Sequence, residues 1–577
     1  MKGLENIQKT NSKQKFSQNS TTLTTEEISL LFTKAVQFQQ SGQLKEAEAL
    51  YKNILSFNQD IAEVHCNLGS VQEILEDSLK SYERALSIKP DYADAHINKG
   101  NILTDLGRLD EAIISYKIAL EIHPQYAEAK CNLGVALLSM RRLDEALNCF
   151  KDALADKPDY RLAANNYLHT FLYLQDVSND ELFNVCQKIA KNSKPKINLN
   201  SLAIACPKQK DRIRIGYISS DFQKHPVGYN ILPILSNHDR QRYEIFCYAE
   251  LSKADCLTSE FQELADHWRV INNRTDSEVA ETMRSDGIHI AVFLGGHFDE
   301  NRPEIANYNA APVNVAMHGG TTTALDSMDY WLSDGVLHPK EEKDKSERFT
   351  ETIWRLPNFY NFTIPNDAPD VSPLPASKNG YVTFVSFNKP CKINDDVLDL
   401  WSGVLHAVPK SKLILKFRNH LANADLADPI RTRFRTNGIT DDRIELINSL
   451  DDFNEHLANY HRGDIALDTF PFSGATTTFQ ALWMGLPVVS LYGNRFISRM
   501  GASISQHLGL IEHLTTTPEN YINICTKLAQ DLDHLRNLRL NLRNRISNSQ
   551  LCNGPTYAQN FENALQAMWK NRNKAKD

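Results

Sequence analysis

A 34-residue self-similarity constrains this chain more than any other feature. Gly100, Ala112, Tyr116, Ala119 and Pro124 recur, each 34 positions later, as Gly134, Ala146, Phe150, Ala153 and Pro158. A repeat of that length holds two helices. The residue types give the physical reason: small Gly and Ala let paired helices approach, an aromatic ring fills the gap between them, and Pro ends the second helix.

The period is that of the tetratricopeptide repeat, and it extends backwards through Tyr82, Ala85 and Pro90. Gly69, however, lies 31 positions before Gly100, so three residues are missing. The second repeat is therefore expected to have a shortened turn where its neighbours carry GRL or RRL. Ala35, Ala47 and Tyr51 mark a first repeat starting near Ile28, and RLAANNYLHTFLY after Tyr160 starts a degenerate, capping one. Stacked helix pairs form a concave groove suited to protein or peptide acceptors. Its candidate side chains are Asn67, Asn98 and Asn132, each two residues before a repeat glycine, where an amide ladder would bond an extended peptide backbone.

At 577 residues the chain has room for several domains. Lys+Arg is 63 against Asp+Glu 71, a net charge of −8, without the basic surplus of a nucleic-acid binder. Ten cysteines occur with no CxxC pair, so neither a zinc site nor a disulfide framework is expected, and a reducing compartment fits. No apolar run reaches the ~18 residues of a membrane span. The polar start, lacking the apolar core of a signal peptide, points to a cytoplasmic protein with no membrane partner. Residues 1–27 read as a flexible arm.

From about Asp211 the helical pairs give way to strands alternating with helices. RIRIGYIS, YEIFCYA, IHIAVFLGG and VNVAMHGG read as one strand series, and YVTFVSF, KLILKF, RIELIN, DIALDT and PVVSLYG as a second. The expected fold class is α + α/β: an α-solenoid over 28–195 with its degenerate cap, then two Rossmann-like domains over 205–360 and 381–577, joined by a Pro-rich linker at 361–380. A ligand would lie in the cleft facing the carboxyl ends of both sheets. The last helices, LRNLRLNLRNRIS and FENALQAMWKN, are expected to pack back across both domains.

Chemistry-bearing residues fall at those strand ends. DIALDT runs into FPFSGATTTFQALWMG, where Gly474 permits a tight turn and Thr476, Thr477 and Thr478 open a helix. Helix-start amides and hydroxyls suit a phosphate, although the same residues suit an ordinary Thr N-cap. Lys392 in NKPCKIN is expected on an exposed loop within reach of that phosphate, and His225 in SDFQKHPVGY is a candidate base or hydrogen-bond donor. No GxxxxGK[ST] run and no metal-ligand spacing occur, so neither a P-loop nor a metal site is expected.

Taken together, RIRIGYISSDFQKHPVGY, DGIHIAVFLGGH, APVNVAMHGG, FVSFNKPCK, EHLANYHRGDIALDTFPFSGATTTFQALWMGLPVVS and SRMGAS resemble the catalytic region of the protein O-GlcNAc transferase and SPINDLY family. That family couples tetratricopeptide repeats to an inverting GT-B glycosyltransferase. The resemblance implies a nucleoside diphosphate sugar as donor substrate, with no cofactor. It implies Lys392 as the cation on the leaving diphosphate, Thr476 and Thr477 as its helix-start ligands, His456 beside the base, and His225 near the acceptor. Asn388, Gly474, Ala475, Thr478, Gln480, His318 and Gly319 fall on the same donor side.

The chain departs from the family at Ala475, where animal O-GlcNAc transferases have histidine and SPINDLY proteins threonine. Gln480 stands where they have aspartate and glutamate, and His318 and Thr321 replace a Leu and a Pro expected beside the donor. The leading expectation is transfer of N-acetylglucosamine from UDP-GlcNAc to Ser/Thr hydroxyls of intracellular proteins. GDP-fucose is the alternative donor, and a non-catalytic scaffold binding a nucleotide sugar is the alternative of another class.

Overall fold

The computed structural model describes residues 24–193, 212–251, 254–340, 347–365, 367–418, 420–448 and 452–574. Residues 1–23 of the expected arm lie outside them. The chain forms two compact units, one ending at Lys157 and the other beginning at Pro158.

The first unit is a run of helix pairs: α1 (Thr25–Gln40) with α2 (Leu44–Phe57), α3 (Ala62–Val71) with α4 (Leu75–Ile88), α5 (Ala93–Asp105) with α6 (Leu109–Ile122), and α7 (Ala127–Ser139) with α8 (Leu143–Asp156). Helix α1 starts before the expected Ile28 because Thr24 caps it. The Thr24 side chain accepts from the Glu27 amide while Glu27 reaches back to the Thr24 amide, satisfying two orphan donors. The repeat glycines are required by packing: a Cβ at Gly100 would lie 2.5 Å from the Tyr116 ring, and one at Gly134 2.6 Å from Phe150. The missing three residues are not taken from the turn. Gln72–Ile74 and Leu106–Arg108 both have three residues between helices, whereas α3 has 10 residues and α5 has 13. The deletion shortens a helix, because the turn must still reverse the chain.

The second unit opens with α9 (Arg161–Leu172) and α10 (Asn179–Asn192), the degenerate repeat, and continues into two parallel sheets. The first lobe carries β1 (Ile213–Ser219), α11 (Pro226–Ser236), β2 (Tyr243–Ala249), α12 (Cys256–Leu264), β3 (His267–Val270), α13 (Asp276–Ser285), β4 (Ile290–Leu294), β5 (Val313–Met317), β6 (Tyr330–Asp334) and β7 (Thr352–Leu356), in the order β3-β2-β1-β4-β5-β6-β7.

After the short α14 (Ala376–Asn379), the second lobe carries β8 (Thr383–Ser386), α15 (Asp395–Ala407), β9 (Lys412–Lys416), α16 (Ala424–Thr436), β10 (Ile444–Ile447), α17 (Phe453–Ala458), β11 (Ile465–Leu467), α18 (Thr476–Trp483), β12 (Val488–Leu491), α19 (Met500–His507) and β13 (Leu514–Thr515). Its strand order is β10-β9-β8-β11-β12-β13. Buried apolar strands such as IAVFL in β4 supply the continuous hydrophobic runs that a sheet covered on both faces needs.

Helices α20 (Pro518–Gln530), α21 (Leu532–Ser547) and α22 (Gly554–Lys574) close the chain. As expected, α22 returns to the first lobe. The Tyr557 hydroxyl donates to the Phe359 carbonyl at 2.5 Å, and Glu562 lies 2.9 Å from His238 Nδ1. Among the described residues no helix is long and apolar enough to cross a membrane.

Candidate active site

Each sheet reverses its winding once, between β1 and β4 in the first lobe and between β8 and β11 in the second. Loops leaving neighbouring strands at such a point run in opposite directions and open a crevice, the usual ligand position in a doubly wound sheet. The sequence places its chemistry there.

In the first lobe, β1 ends in Ser219 and leads through Asp221 to His225, the N-cap of α11. Asp221 is buried. It accepts from Asn301 Nδ2 at 2.9 Å, while Asn301 Oδ1 accepts from the Ser220 amide at 2.9 Å. Burial raises the Asp221 carboxyl above its usual range, and His225 opposes that rise. His225 Nδ1 lies 3.3 Å from Asp221 Oδ1, and Nε2 lies 3.8 Å from Asp299 Oδ2. The imidazole is thus held between two carboxylates, one buried and one exposed.

His318 follows β5 at φ 62°, 5.0 Å from the Phe359 ring, and neither ring nitrogen has a hydrogen-bond partner among the described residues. Gly319 is required by packing, since a Cβ there would lie 2.6 Å from Trp331. Thr321 is buried and faces Cys186 of α10. His297 of the GGH turn is structural, with Nε2 2.9 Å from the Thr323 carbonyl and Nδ1 3.3 Å from Glu304.

In the second lobe, β8 ends in Ser386 and leads to Asn388 and Lys392; β11 ends in Leu467 and leads to Asp468 and the Gly474 turn. Lys392 is not on an exposed loop. It closes a short 3-10 turn, Pro390–Lys392, half-buried, with Nζ donating to the Ser473 carbonyl at 2.8 Å and lying 4.1 Å above the Phe472 ring. Burial pushes its ammonium down to about 8, and the nearby Asp468 carboxyl pulls the other way. Asp468, itself pushed up to about 6 by burial, accepts from the Gly474 amide at 2.7 Å and from Ser490 Oγ at 2.8 Å.

The helix start rejects the ordinary Thr N-cap. Ala475 is the N-cap of α18, and it offers no side-chain acceptor to the first-turn amides. Thr476 is exposed, and Thr477 Oγ1 donates to Asn388 Oδ1 at 3.0 Å, tying the two loops together. Thr478 is buried, and its hydroxyl donates to the Gly474 carbonyl at 2.9 Å and so helps to hold the turn. Gly474 is needed for close approach, since a Cβ would lie 2.3 Å from Thr477 Oγ1. His456 Nε2 lies 3.2 Å from Gln480 Oε1, and its Nδ1 lies 3.4 Å from Lys416 Nζ at the end of β9.

Asn67, Asn98 and Asn132 lie half-buried on α3, α5 and α7 of the first unit. Asn132 Nδ2 donates to Asn101 Oδ1 at 2.9 Å and Asn98 Nδ2 reaches Cys66 Sγ at 3.8 Å, so two of the ladder amides also tie neighbouring helices together. Sequence reasoning missed Asp221, Asn301, Lys416, Asp468 and Phe472. Polar residues directly after a strand, as in ISSD and ALD, were the signal for the two aspartates; Asn301, Lys416 and Phe472 carried none.

The profile of glycosyl transferase family 41 matches residues 160–364 and 374–561, and tetratricopeptide profiles match 100–140 and 127–157. Over 368 residues the chain is 36% identical to an Arabidopsis thaliana protein named "Probable UDP-N-acetylglucosamine--peptide N-acetylglucosaminyltransferase SPINDLY", covering 62% of this chain and 39% of that one. The like-named Petunia hybrida protein is 33% identical over 423 residues, with coverages of 71% and 44%. The chain therefore spans less than half the length of these curated relatives. A solved structure of a mutant Thermobaculum terrenum O-GlcNAc transferase is similar with a TM-score of 0.81 and 29% identity, over 95% of this chain and 98% of that one.

Proposed function

Because the chain belongs to glycosyl transferase family 41, we propose that it moves a sugar from a nucleoside diphosphate to Ser or Thr hydroxyls of proteins, with UDP-N-acetylglucosamine the leading donor. The acceptor oxygen attacks the anomeric carbon from the face opposite the diphosphate. A new carbon–oxygen bond forms as the bond to phosphate breaks, and the diphosphate leaves with the electron pair.

The observation that carries this reading is Lys392 beside the uncapped start of α18. An ammonium and a helix amino terminus together meet the charge that grows on a leaving diphosphate. Asn388, Thr476 and Thr477 line the same place, and His456 with Gln480 and Lys416 forms the side on which the nucleoside rests. His225, with Asp221 behind it, takes the proton of the attacking hydroxyl. Acceptor proteins lie along the Asn67, Asn98 and Asn132 ladder of the repeats. The nine described cysteines are free thiols, which supports a reducing, cytoplasmic setting.

The test is intact-mass spectrometry of lysate proteins incubated with the purified chain and a panel of donors. A gain of one N-acetylhexosamine with the uridine donor is expected. A gain of deoxyhexose with GDP-fucose would move the donor assignment, and no gain with any donor would leave a binding scaffold.

A further inference from the structure

The degenerate repeat touches the cleft. From α9, Asn165 Nδ2 donates to the Asp299 carbonyl at 3.0 Å, in the loop after β4. One turn further, the His169 ring lies 4.7 Å from Phe298 of the same loop and 6.1 Å from Phe472 of the loop after β11. Tyr173, just past the end of α9, stacks on Phe472 with centroids 5.1 Å apart and an interplanar angle of 28°. Its hydroxyl lies 2.8 Å from His169 Nε2, giving the buried phenol the partner it needs. Phe472 is in turn the ring under the Lys392 ammonium, 4.1 Å away.

Side chains of one helix therefore reach loops of both lobes, and one aromatic ring separates them from the cation at the leaving group. We propose that Tyr173, with His169 as its hydrogen-bond partner, is a positioning residue for sugar transfer that fixes the Phe472 ring and thereby aims Lys392. The proposal rests on the leaving-group role given to Lys392 above. A cation is drawn to a ring face only within about 6 Å of its centroid, so a ring free to turn loosens the ammonium with it. The charged and titratable groups facing Lys392 are Asp468, Cys391, Lys389 and His169; those facing His169 are Lys389, Lys392, Asp299 and Tyr173, and Tyr173 also faces Cys391 and Asp299. The degenerate repeat is on this view a wall of the active site, and its first helix carries Leu168 where the repeats before it carry Gly100 and Gly134.

The experiment uses the full chain and two readouts. Donor turnover gives kcat and KM, and acylation of Lys392 by an amine reagent across pH, read by peptide mass, gives the midpoint of its titration independently of activity. Tyr173→Leu is expected to lower kcat about tenfold, as for a slight misplacement of a catalytic group, with donor KM little changed and the Lys392 midpoint moved. Tyr173→Phe, which keeps the stacked ring, should recover most of the loss. If Tyr173→Leu does not fold, Phe472→Leu should give the same signature. An unmoved Lys392 midpoint in either variant, whatever happens to kcat, or a loss in Tyr173→Phe equal to that in Tyr173→Leu, overturns the proposal. If the unsubstituted chain transfers no sugar, the proposed function fails and the Lys392 midpoint alone decides the positioning.

Discussion

The two switch points are built alike and charged oppositely. At the β1/β4 crevice an imidazole sits between the carboxylates of Asp221 and Asp299; at the β8/β11 crevice an ammonium sits over an aromatic ring beside an uncapped helix. The shared geometry comes from sheet winding and says nothing about chemistry. The difference in charge does: the anionic side suits gaining a proton from an attacking hydroxyl, and the cationic side suits receiving a departing anion. Reading the lobes as duplicates would lose the direction of the reaction.

The sharpest way to break this division is Lys392→Ala, which should lower transfer about a hundredfold or more. The fold should persist, because the change removes a half-buried charge whose ammonium is disfavoured by burial. Near-normal steady-state turnover in that variant would take the lysine out of the mechanism. On the other lobe, His225→Ala should cost about a hundredfold in kcat, with Asp221→Asn costing less, and both should bind uridine diphosphate as the unsubstituted chain does. Calorimetry showing weakened nucleotide binding in His225→Ala would collapse the two roles into one.

The pH dependence sharpens the contrast. Lys392 carries its charge below about 8 and loses it above. In the proposed role, the charge meeting the diphosphate is therefore present at neutral pH and disappears as pH rises through that value. Both kcat/KM and affinity for uridine diphosphate should fall on the alkaline side, about tenfold per pH unit once the amine is neutral, and Lys392→Arg should abolish that limb. The smallest effect is expected for Gln480→Asp. A carboxylate makes a charge-assisted bond roughly twice as strong as a neutral one, so uridine diphosphate affinity should rise a few-fold if this side chain reaches the ribose. Titration with guanosine diphosphate distinguishes the donor: tighter binding than uridine diphosphate would reverse the leading assignment.

The helix pairs of the repeats and their packing residues were legible because the period is local and the packing stereotyped, as Gly100 against Tyr116 shows, whereas the place of the three-residue deletion, in α3, was not. Four strands of the first sheet and five of the second were legible from apolar runs. Strands β3 and β7 escaped because they lie at the sheet edges, half-exposed and polar, as HWRV and TIWRL, and β6, YWLSD, escaped although buried because its polar Ser-Asp end leaves only three apolar residues in a row. Strand β13 has two residues, too short to carry a pattern. Lys392 was misread as exposed because its burial depends on Phe472 and Ser473, which lie some eighty residues away in sequence. The same long-range closure hid the part played by α9. Its own pattern identifies a helix, and only the fold identifies what Asn165, His169 and Tyr173 face.

The return of α22 to the first lobe orders events during synthesis. Tyr557, Phe561, Leu565 and Met568 are fully or almost fully buried, and the Phe561 ring lies 6.4 Å from Tyr217 of β1, more than three hundred residues earlier in the chain. A ribosome delivers β1 long before the helix that covers it. The first lobe thus waits, with an uncovered apolar face, while the entire second lobe is made, and a nascent chain in that interval presents the surface that chaperones bind.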